Sequence, residues 1–200
     1  MKIEANYKYS ELFLQIMSPR LVLLSGYPGS GKTSVANYLV DNFEFSRLGK
    51  EDIRLMAYRP KAGQYTMQPL WTQRESILNP LINDMKLLFL FRGFDVVIDT
   101  TAATTQARAE FLDTSNIGEL CIEKHLIVLK VDREQLLYRR GRCIIEDVWE
   151  KYITWEEPET NPTTSSVLYY QNNTPQDLEA ICNDLRLRFE RKNEIYAPVE

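Results

Sequence analysis

Residues 26–33 of this 200-residue chain read Gly-Tyr-Pro-Gly-Ser-Gly-Lys-Thr. The stretch fits the pattern G-x-x-x-x-G-K-[ST], in which glycines let backbone N–H groups turn inward and form a cradle for phosphate oxygens. An apolar run at 21–24 precedes the stretch, and a helical pattern over 32–42 follows it. Because a phosphate loop needs a strand before it and a helix after it, this context predicts nucleotide binding.

The residue types in the loop have separate expected tasks. The Lys32 ammonium is expected to reach the β- and γ-phosphates of ATP, and the Thr33 hydroxyl is expected to ligate Mg²⁺. The other contacts are expected from the glycine-rich backbone and from the first turn of the helix. The predicted nucleotide-binding residues are Gly26, Tyr27, Pro28, Gly29, Ser30, Gly31, Lys32, Thr33 and Ser34.

Strand and helix patterns alternate along the rest of the chain. Short apolar runs typical of strands fall at 21–24, 45–48, 94–99, 125–131 and 167–170. Helical patterns fall at 32–42, 51–58, 73–91 (bent or broken near Pro80) and 104–112, and Asp132 and Thr174 each offer a helix N-cap. The alternation predicts an α/β fold: a P-loop NTPase three-layer sandwich with a mostly parallel five-stranded sheet.

A short extension is expected before the phosphate-loop domain. Apolar side chains over 9–17 recur at helical spacing, which predicts an amphipathic helix that covers the core or makes a dimer contact. These side chains are Tyr9, Leu12, Phe13, Ile16 and Met17. The expected organisation is an N-terminal helical extension over 1–18 and a phosphate-loop domain over 19–200.

Composition excludes several classes of protein. Hydrophobic residues make up 44% and charged residues 26%, which is ordinary globular usage. The longest apolar run, 87–91, is far too short to span a membrane. There are 24 Lys and Arg against 28 Asp and Glu, a formal net charge of −4. This balance argues against a general nucleic-acid binder, although a short nucleic-acid end could still bind in a local basic pocket.

The cysteine and histidine residues indicate a compartment and exclude one kind of metal site. The three cysteines, Cys121, Cys143 and Cys182, are widely spaced and form no CxxC pair. A sparse, odd set of thiols fits the reducing cytoplasm better than a disulfide framework, and the N-terminus lacks the apolar core of a signal peptide. The single histidine, His125, cannot build a multi-histidine zinc site.

The sequence lacks the motifs of the other common phosphate-loop proteins. No Asn-Lys-x-Asp sequence is present to read guanine, and no aspartate begins an Asp-x-x-Gly switch. The Leu-Ser-Gly-Gly signature of ABC-type ATPases is also missing. These absences favour a small phosphotransferase over a GTPase or an ABC-type ATPase.

Four patches carry a resemblance to a family. They are the loop at 26–33, the sequence Gly-Lys-Glu-Asp-Ile-Arg at 49–54, the strand and turn at 95–101, and Arg-Arg-Gly-Arg at 139–142 followed by Trp-Glu-Glu-Pro at 155–158. In their order and spacing they resemble the phosphate-loop kinases that include polynucleotide 5′-hydroxyl kinases and related small kinases. The resemblance covers about residues 20–190.

The resemblance implies roles for residues after the second and third strands. It implies a general base at Glu51, where the family has Asp, so the adjacent Asp52 is an alternative. Arg54, three residues after Glu51 and on the same helical face, is implied to hold the acceptor or the transferred phosphoryl group. Asp99 is implied to orient Mg²⁺-bound water or the acceptor, and we place it with Thr33 at the metal site.

The resemblance also implies a lid over about 139–158. Phosphoryl transfer spreads negative charge over the equatorial oxygens, and lid arginines stabilise that charge. Arg142 is the first candidate for this task and Arg139 the second.

Together these expectations describe an ATP- and Mg²⁺-dependent kinase that phosphorylates a hydroxyl group. The resemblance implies the 5′-hydroxyl of a nucleic acid as acceptor, whereas the acidic charge balance favours a small nucleotide-like molecule. The alternative is a nucleotide-dependent switch or accessory ATPase that acts through a protein partner. The expected ligands are therefore ATP, Mg²⁺ and a hydroxyl acceptor.

Overall fold

The computed structural model describes residues 18–58, 69–118, 120–140, 156–157 and 166–190. The strands in these residues are β1 (Arg20–Gly26), β2 (Ser46–Gly49), β3 (Val96–Asp99), β4 (Glu123–Lys130) and β5 (Ser166–Gln171). The helices are α1 (Lys32–Phe43), α2 (Lys50–Tyr58), α3 (Pro69–Phe91), α4 (Thr105–Leu112), α5 (Arg133–Arg140) and α6 (Pro175–Phe189), with a short 3₁₀ helix at Ser115–Ile117. None of the described helices is long and apolar enough to cross a membrane.

The five strands form one sheet in the order β2-β3-β1-β4-β5, and every neighbouring pair is parallel. The predicted three-layer α/β architecture is confirmed, and the sheet is wholly parallel rather than mostly parallel. Since β1 is central, the loop that follows it lies at the carboxyl edge between the ends of β3 and β4. This edge is where open α/β sheets bind their ligands.

Each face of the sheet buries its own apolar cluster. Alternate residues of a strand point to opposite faces, so Leu21 and Leu23 pack on one side while Val22 and Leu24 pack on the other. The first cluster includes Leu78 and Ile82 of α3 and Phe111 of α4; the second includes Val35 and Leu39 of α1 and Leu185 of α6. Helices on both faces explain why the central strands β1 and β3 are buried on both sides.

Two helix predictions have clear outcomes. Thr174 begins α6 with a capping box in which its hydroxyl accepts from Asp177 N and the Asp177 carboxylate accepts from Thr174 N. The helix was predicted to be bent or broken near Pro80, and the break is wrong, because α3 is a single helix with Pro80 inside it. Proline removes one helical hydrogen bond, but Leu78 and Ile82 on either side are fully buried, and their packing holds the helix together. The predicted helix over 9–17 lies outside the described residues.

His125 is buried at the start of β4. Its ring packs edge-on against Phe189, with centroids 4.9 Å apart, and its Nδ1 lies 2.7 Å from Ser166 Oγ. Burial is the main reason that the pKa of His125 is lowered from 6.5; Glu123 opposes the shift and the charge of Arg20 adds to it. The folded protein therefore holds this imidazole neutral more strongly than the unfolded chain does.

We expect this histidine to dominate the pH dependence of stability near neutrality. Because its pKa is lowered in the folded state, the unfolded chain binds the proton more readily, and the free energy of unfolding should fall as the pH drops below about 6.5. Denaturant titrations at about pH 7.5 and about pH 5.5 measure the effect. His125→Asn, which removes the only histidine, should flatten the difference; an unchanged difference would show that other groups cause it.

Candidate active site

The phosphate loop connects β1 to α1. Gly29 and Gly31 have φ values of 92° and 94°, in the left-handed region that glycine adopts without a steric penalty. A turn bond from Ser30 N to Tyr27 O, at 3.0 Å, closes the loop, and Gly31 is the N-cap of α1. The first turn of α1 therefore directs its N–H groups and the positive end of its dipole toward the loop, which suits a phosphate group.

The Lys32 ammonium lies within this loop. Its Nζ donates to the carbonyl oxygens of Gly26 and Tyr27, both at 2.8 Å, and the residue is 8% exposed. A buried ammonium is stabilised by such carbonyl contacts, and they fix its position at the mouth of the loop. The predicted phosphate-binding lysine is thus held against the loop backbone.

The Asn172 side chain packs behind the loop and forms what we call the Asn172 wall. No sequence motif predicted this residue. Its Nδ2 donates to Ser30 O at 2.7 Å, its backbone N donates to Lys130 O at 2.8 Å, and the residue is 2% exposed. A Cβ atom at Gly31 would overlap this Nδ2. Position 31 therefore requires glycine for two reasons: its φ is positive, and the Asn172 side chain occupies the space that a Cβ atom would need.

A line of contacts joins the loop to the end of β2. Thr33 Oγ1 donates to Asp99 Oδ2 at 2.8 Å, and Arg47 Nη2 donates to the same oxygen at 2.9 Å. The same Nη2 lies 2.9 Å from Asp52 Oδ2. One guanidinium therefore connects the carboxylate paired with Thr33 to the carboxylate at the start of α2. Arg47 was absent from the sequence prediction because a lone arginine on a short strand carries no motif.

The structure separates the two alternatives for the base. Asp52 turns back over the end of β2 toward Arg47, whereas the Glu51 carboxylate forms an ion pair with Arg54. A Cβ atom at Gly49 would overlap Asp52 Oδ2, so the glycine leaves room for this arrangement. Asp52 is thereby brought to the carboxyl edge beside Asp99, and Glu51 is not.

The side chains of Thr33 and Asp99 carry oxygen atoms of the kind that bind a magnesium ion. A hydroxyl and a carboxylate are hard oxygen ligands, and Mg²⁺ is ordinarily bound by one or two protein groups together with phosphate oxygens and water. The described residues contain no group of three or more His, Cys, Asp or Glu that could hold a metal ion.

Arg139 lies near the end of α5 and contacts the loop directly. Its Nη1 donates to Gly29 O at 3.1 Å and its Nη2 donates to Asn173 O at 3.0 Å. Of the two predicted lid arginines, this one is therefore placed beside the loop and next to the Asn172 wall. Arg142 lies outside the described residues, as do the other residues of the expected lid over 141–155 and Pro158.

Glu156 and Glu157 are attached to the core near the site. Glu156 Oε2 accepts from Thr105 N at 2.6 Å, which lowers the pKa of the Glu156 carboxyl, and Glu156 O accepts from Arg108 Nη2 at 2.8 Å. The Glu157 carboxylate pairs with Lys130 at 3.0 Å. Burial, reinforced by the charge of Glu157, raises the pKa of the Tyr27 phenol in the loop. These contacts bring the two glutamates close to the phosphate loop.

Comparison with protein families identifies the fold. A family model described as an AAA domain matches residues 21–142, more than half of the chain. The chain belongs to this AAA domain family. Among curated proteins, no sequence matches this AAA domain chain.

Solved structures resemble this AAA domain protein over most of its length. A protein from Chloroflexus aurantiacus, described provisionally as a kinase, has a TM-score of 0.67 at 16% identity and covers 88% of this chain and 98% of its own. A sugar kinase from Janibacter sp. has a TM-score of 0.60 at 14% identity, covering 86% and 95%. The APS kinase CysC of Mycobacterium tuberculosis, in complex with AMPPNP and APS, has a TM-score of 0.58 at 15% identity, covering 86% and 98%. At these identities the likeness shows the fold, and the narrower polynucleotide kinase group stays a prediction.

Gly31→Ala should impair the loop more than the backbone strain of an alanine with positive φ would by itself. The Ala methyl group would meet Asn172 Nδ2 and would also strain a φ of 94°. Gly118, with φ 70°, ψ −143° and open space around it, gives a control for strain outside the loop: Gly118→Ala should cost about 1–3 kcal/mol of stability and leave Mg-ATP affinity unchanged. We expect Gly31→Ala to lose at least as much stability and also to weaken Mg-ATP binding by calorimetry. Equal stability losses with unchanged affinity would contradict this role of Asn172.

Proposed function

We propose that this protein is a kinase that transfers the γ-phosphoryl group of Mg-ATP to a hydroxyl group of an acceptor. The single observation that carries the proposal is the contact line Thr33–Asp99–Arg47–Asp52, which joins the end of the phosphate loop to the Asp52 carboxylate at the start of α2. A switch protein also needs the loop and one carboxylate for Mg²⁺, the task proposed for Asp99, but it has no need of a second carboxylate that can take a proton from an acceptor. The fold that this chain shares with a sugar kinase and an APS kinase supports the same activity.

The loop and its lysine would bind the triphosphate. In this proposal the N–H groups of 29–33 and the Lys32 ammonium hold the β- and γ-phosphates, and binding draws Nζ away from the Gly26 and Tyr27 carbonyl oxygens that now hold it. Thr33 and Asp99 would hold Mg²⁺, directly or through water. The ion supplies positive charge that offsets the charge building up on the phosphate oxygens.

Asp52 is the base that we favour. An acceptor hydroxyl must lose its proton as phosphoryl transfer proceeds, and a carboxylate within hydrogen-bond reach can take it. Asp52 is held at the sheet edge through Arg47, whereas Glu51 is occupied by Arg54. Arg47 would act as a positioning residue, because its guanidinium keeps two carboxylates of like charge near each other.

Three further arginines would complete the site. Arg54 lies two residues after Asp52 on α2, and its side chain is 15% exposed and paired with Glu51. We propose that Arg54 orients the acceptor or its phosphate, with Glu51 holding the guanidinium in position. Arg139, seated at the loop on Gly29 O, and Arg142 after it would stabilise the charge of the transferring group.

The acceptor proposed is a nucleotide-sized molecule or a nucleic-acid 5′-end. The resemblance in sequence favours the 5′-hydroxyl, and the net charge of −4 favours a small acceptor over a long polyanion. A cytoplasmic location is part of the same proposal. It is supported by two free cysteines in the described chain, Cys121 and Cys182.

Phosphoryl transfer from γ-labelled Mg-ATP tests the activity. The acceptor panel should contain 5′-hydroxyl DNA and RNA oligonucleotides, nucleosides, nucleotides and sugar-nucleotides. We expect label on one acceptor class and a rate about 100- to 1000-fold lower in Lys32→Ala, because a phosphate-stabilising charge is lost. Undiminished transfer in Lys32→Ala would contradict the mechanism. Tight ATP binding with label on no acceptor would favour the switch or accessory ATPase instead.

Paired substitutions distinguish the two carboxylates. Asp52→Asn keeps the shape of the side chain and removes its basicity, so kcat should fall about 100-fold or more. Glu51→Gln disturbs only a largely exposed ion pair, worth at most about 1 kcal/mol, so kcat should fall no more than about fivefold. Circular dichroism and Mg-ATP affinity serve as controls for the fold and the loop. The reverse ranking would assign the base to Glu51.

A further inference from the structure

The long helix α3 carries apolar side chains on both its inner and its outer face. Leu78, Ile82 and Leu90 are fully buried against the sheet. On the opposite side, large apolar side chains remain exposed at 55%, 36%, 56% and 57%. These residues, Ile77, Leu81, Leu88 and Phe91, form what we call the outer stripe of α3. A helix that is apolar all round is normally covered on all sides.

The spacing of the outer stripe is that of a helix-packing seam. Positions 77, 81, 84, 88 and 91 advance by four, three, four and three residues, the repeat by which one helix packs along another. Asp84 is the only charged residue among them. From Ile77 to Phe91 the stripe is about 21 Å long. A line of apolar side chains of this length marks an interaction surface rather than scattered exposure.

The chain enters the fold at one end of this stripe. Arg20 N donates to Asp95 Oδ1 at 2.6 Å, and Leu21 pairs with Val96, so Pro19 stands beside Phe94 in the same register. Phe94 lies three residues after Phe91, and its ring packs against Phe89 of α3, with centroids 6.3 Å apart. Residues 1–17 therefore join the described fold next to the C-terminal end of the outer stripe.

We propose that residues 1–17 cover the outer stripe as a helix running parallel to α3. As a helix the segment would be about 25 Å long, long enough to run along the stripe, and its apolar positions, which span about 12 Å, would lie along the half of the stripe from Asp84 to Phe91. Its apolar positions from Tyr9 to Met17 recur at helical spacing, as packing along a seam requires. If Met17 is level with Phe91, residue 10 is level with Asp84, and Lys8 lies within one turn of that carboxylate.

Charge disfavours a second copy of the chain as the occupant. If the outer stripes of two chains packed against each other with Asp84 at the centre of the contact, the two Asp84 carboxylates would meet. This holds whether the two helices run parallel or antiparallel. Two like charges at a desolvated seam cost free energy, whereas Lys8 offers the opposite charge. The N-terminal segment is also tethered at the site, which gives it a high effective concentration there.

Site-specific photocrosslinking tests the proposal in the full chain. A benzophenone amino acid replaces Leu88, which is exposed enough to accept it, and in a control protein replaces Leu187, an exposed leucine of α6. After irradiation and trypsin digestion, we expect an intramolecular product that links the peptide 9–20 to the peptide 87–92. The Leu187 control should give no product with 9–20.

Two second-site substitutions make the test specific to the apolar face. Phe13→Ser should reduce the yield of the 9–20 product several-fold, and Glu11→Ser, on the opposite face of the predicted helix, should leave it unchanged. Products that join two chains at Leu88, or the absence of any product with 9–20, would overturn the proposal. Equal yields from the Leu88 and Leu187 proteins would overturn it as well. None of these readouts depends on catalytic activity.

Discussion

A nearly buried carboxylate at the end of β3 sets the geometry of the site. Asp99 is 8% exposed, and a charge in that position must be paired, because the sheet around it offers little water. It is paired from two sides, by the Thr33 hydroxyl and by the Arg47 guanidinium. These contacts bind the start of α1 and the end of β2 to one atom. The order of the strands, with β3 between β1 and β2, makes that arrangement available.

Local patterns in the sequence were enough to predict the fold. The central strands β1 and β3 are buried along their whole length, the phosphate loop has a fixed spacing, and the start of α6 is encoded within four residues. The long-range partners in the site could not be predicted in this way. Arg47 contacts Asp99 across 52 positions, and Asn172 contacts Ser30 across 142. Their residue types are common, so only the packed structure shows what they touch.

The proposed base illustrates the same limit at short range. Glu51 and Asp52 are adjacent, and family resemblance favoured the first of them. On a helix, neighbouring side chains point about 100° apart, so only one of the two can face the sheet edge. The Asp52 side chain points toward the sheet edge because it pairs with Arg47, a residue outside the motif. A motif thus locates a site to within a residue or two, and the tertiary partners determine which side chain takes part.

Buried cations attach the segments around the core. Lys86 of α3 donates to Phe111 O at 2.9 Å and to Asp113 O at 2.6 Å, and burial lowers the pKa of this lysine to about 8. Arg108 of α4, also buried, donates to Ala102 O, Ala103 O and Glu156 O. Both side chains donate to carbonyl groups at helix ends and turns, which lie outside the hydrogen-bond ladders of the sheet. The turn after β3, where Ala102 has a φ of 41°, is held by this means.

Gly49 has a consequence for how this sequence can change over evolutionary time. A methyl group at position 49 would push the Asp52 carboxylate aside, and that carboxylate can move only by giving up its ion pair with Arg47. The constraint therefore belongs to a pair of positions rather than to one. Without the acid at 52, a Cβ atom at position 49 would still meet Arg47 Nη2 at 3.1 Å, whereas with the acid in place it would meet Asp52 Oδ2 more closely still, which favours the glycine. Gly49 at the sheet edge thus leaves the space that the neighbouring Asp52 carboxylate occupies.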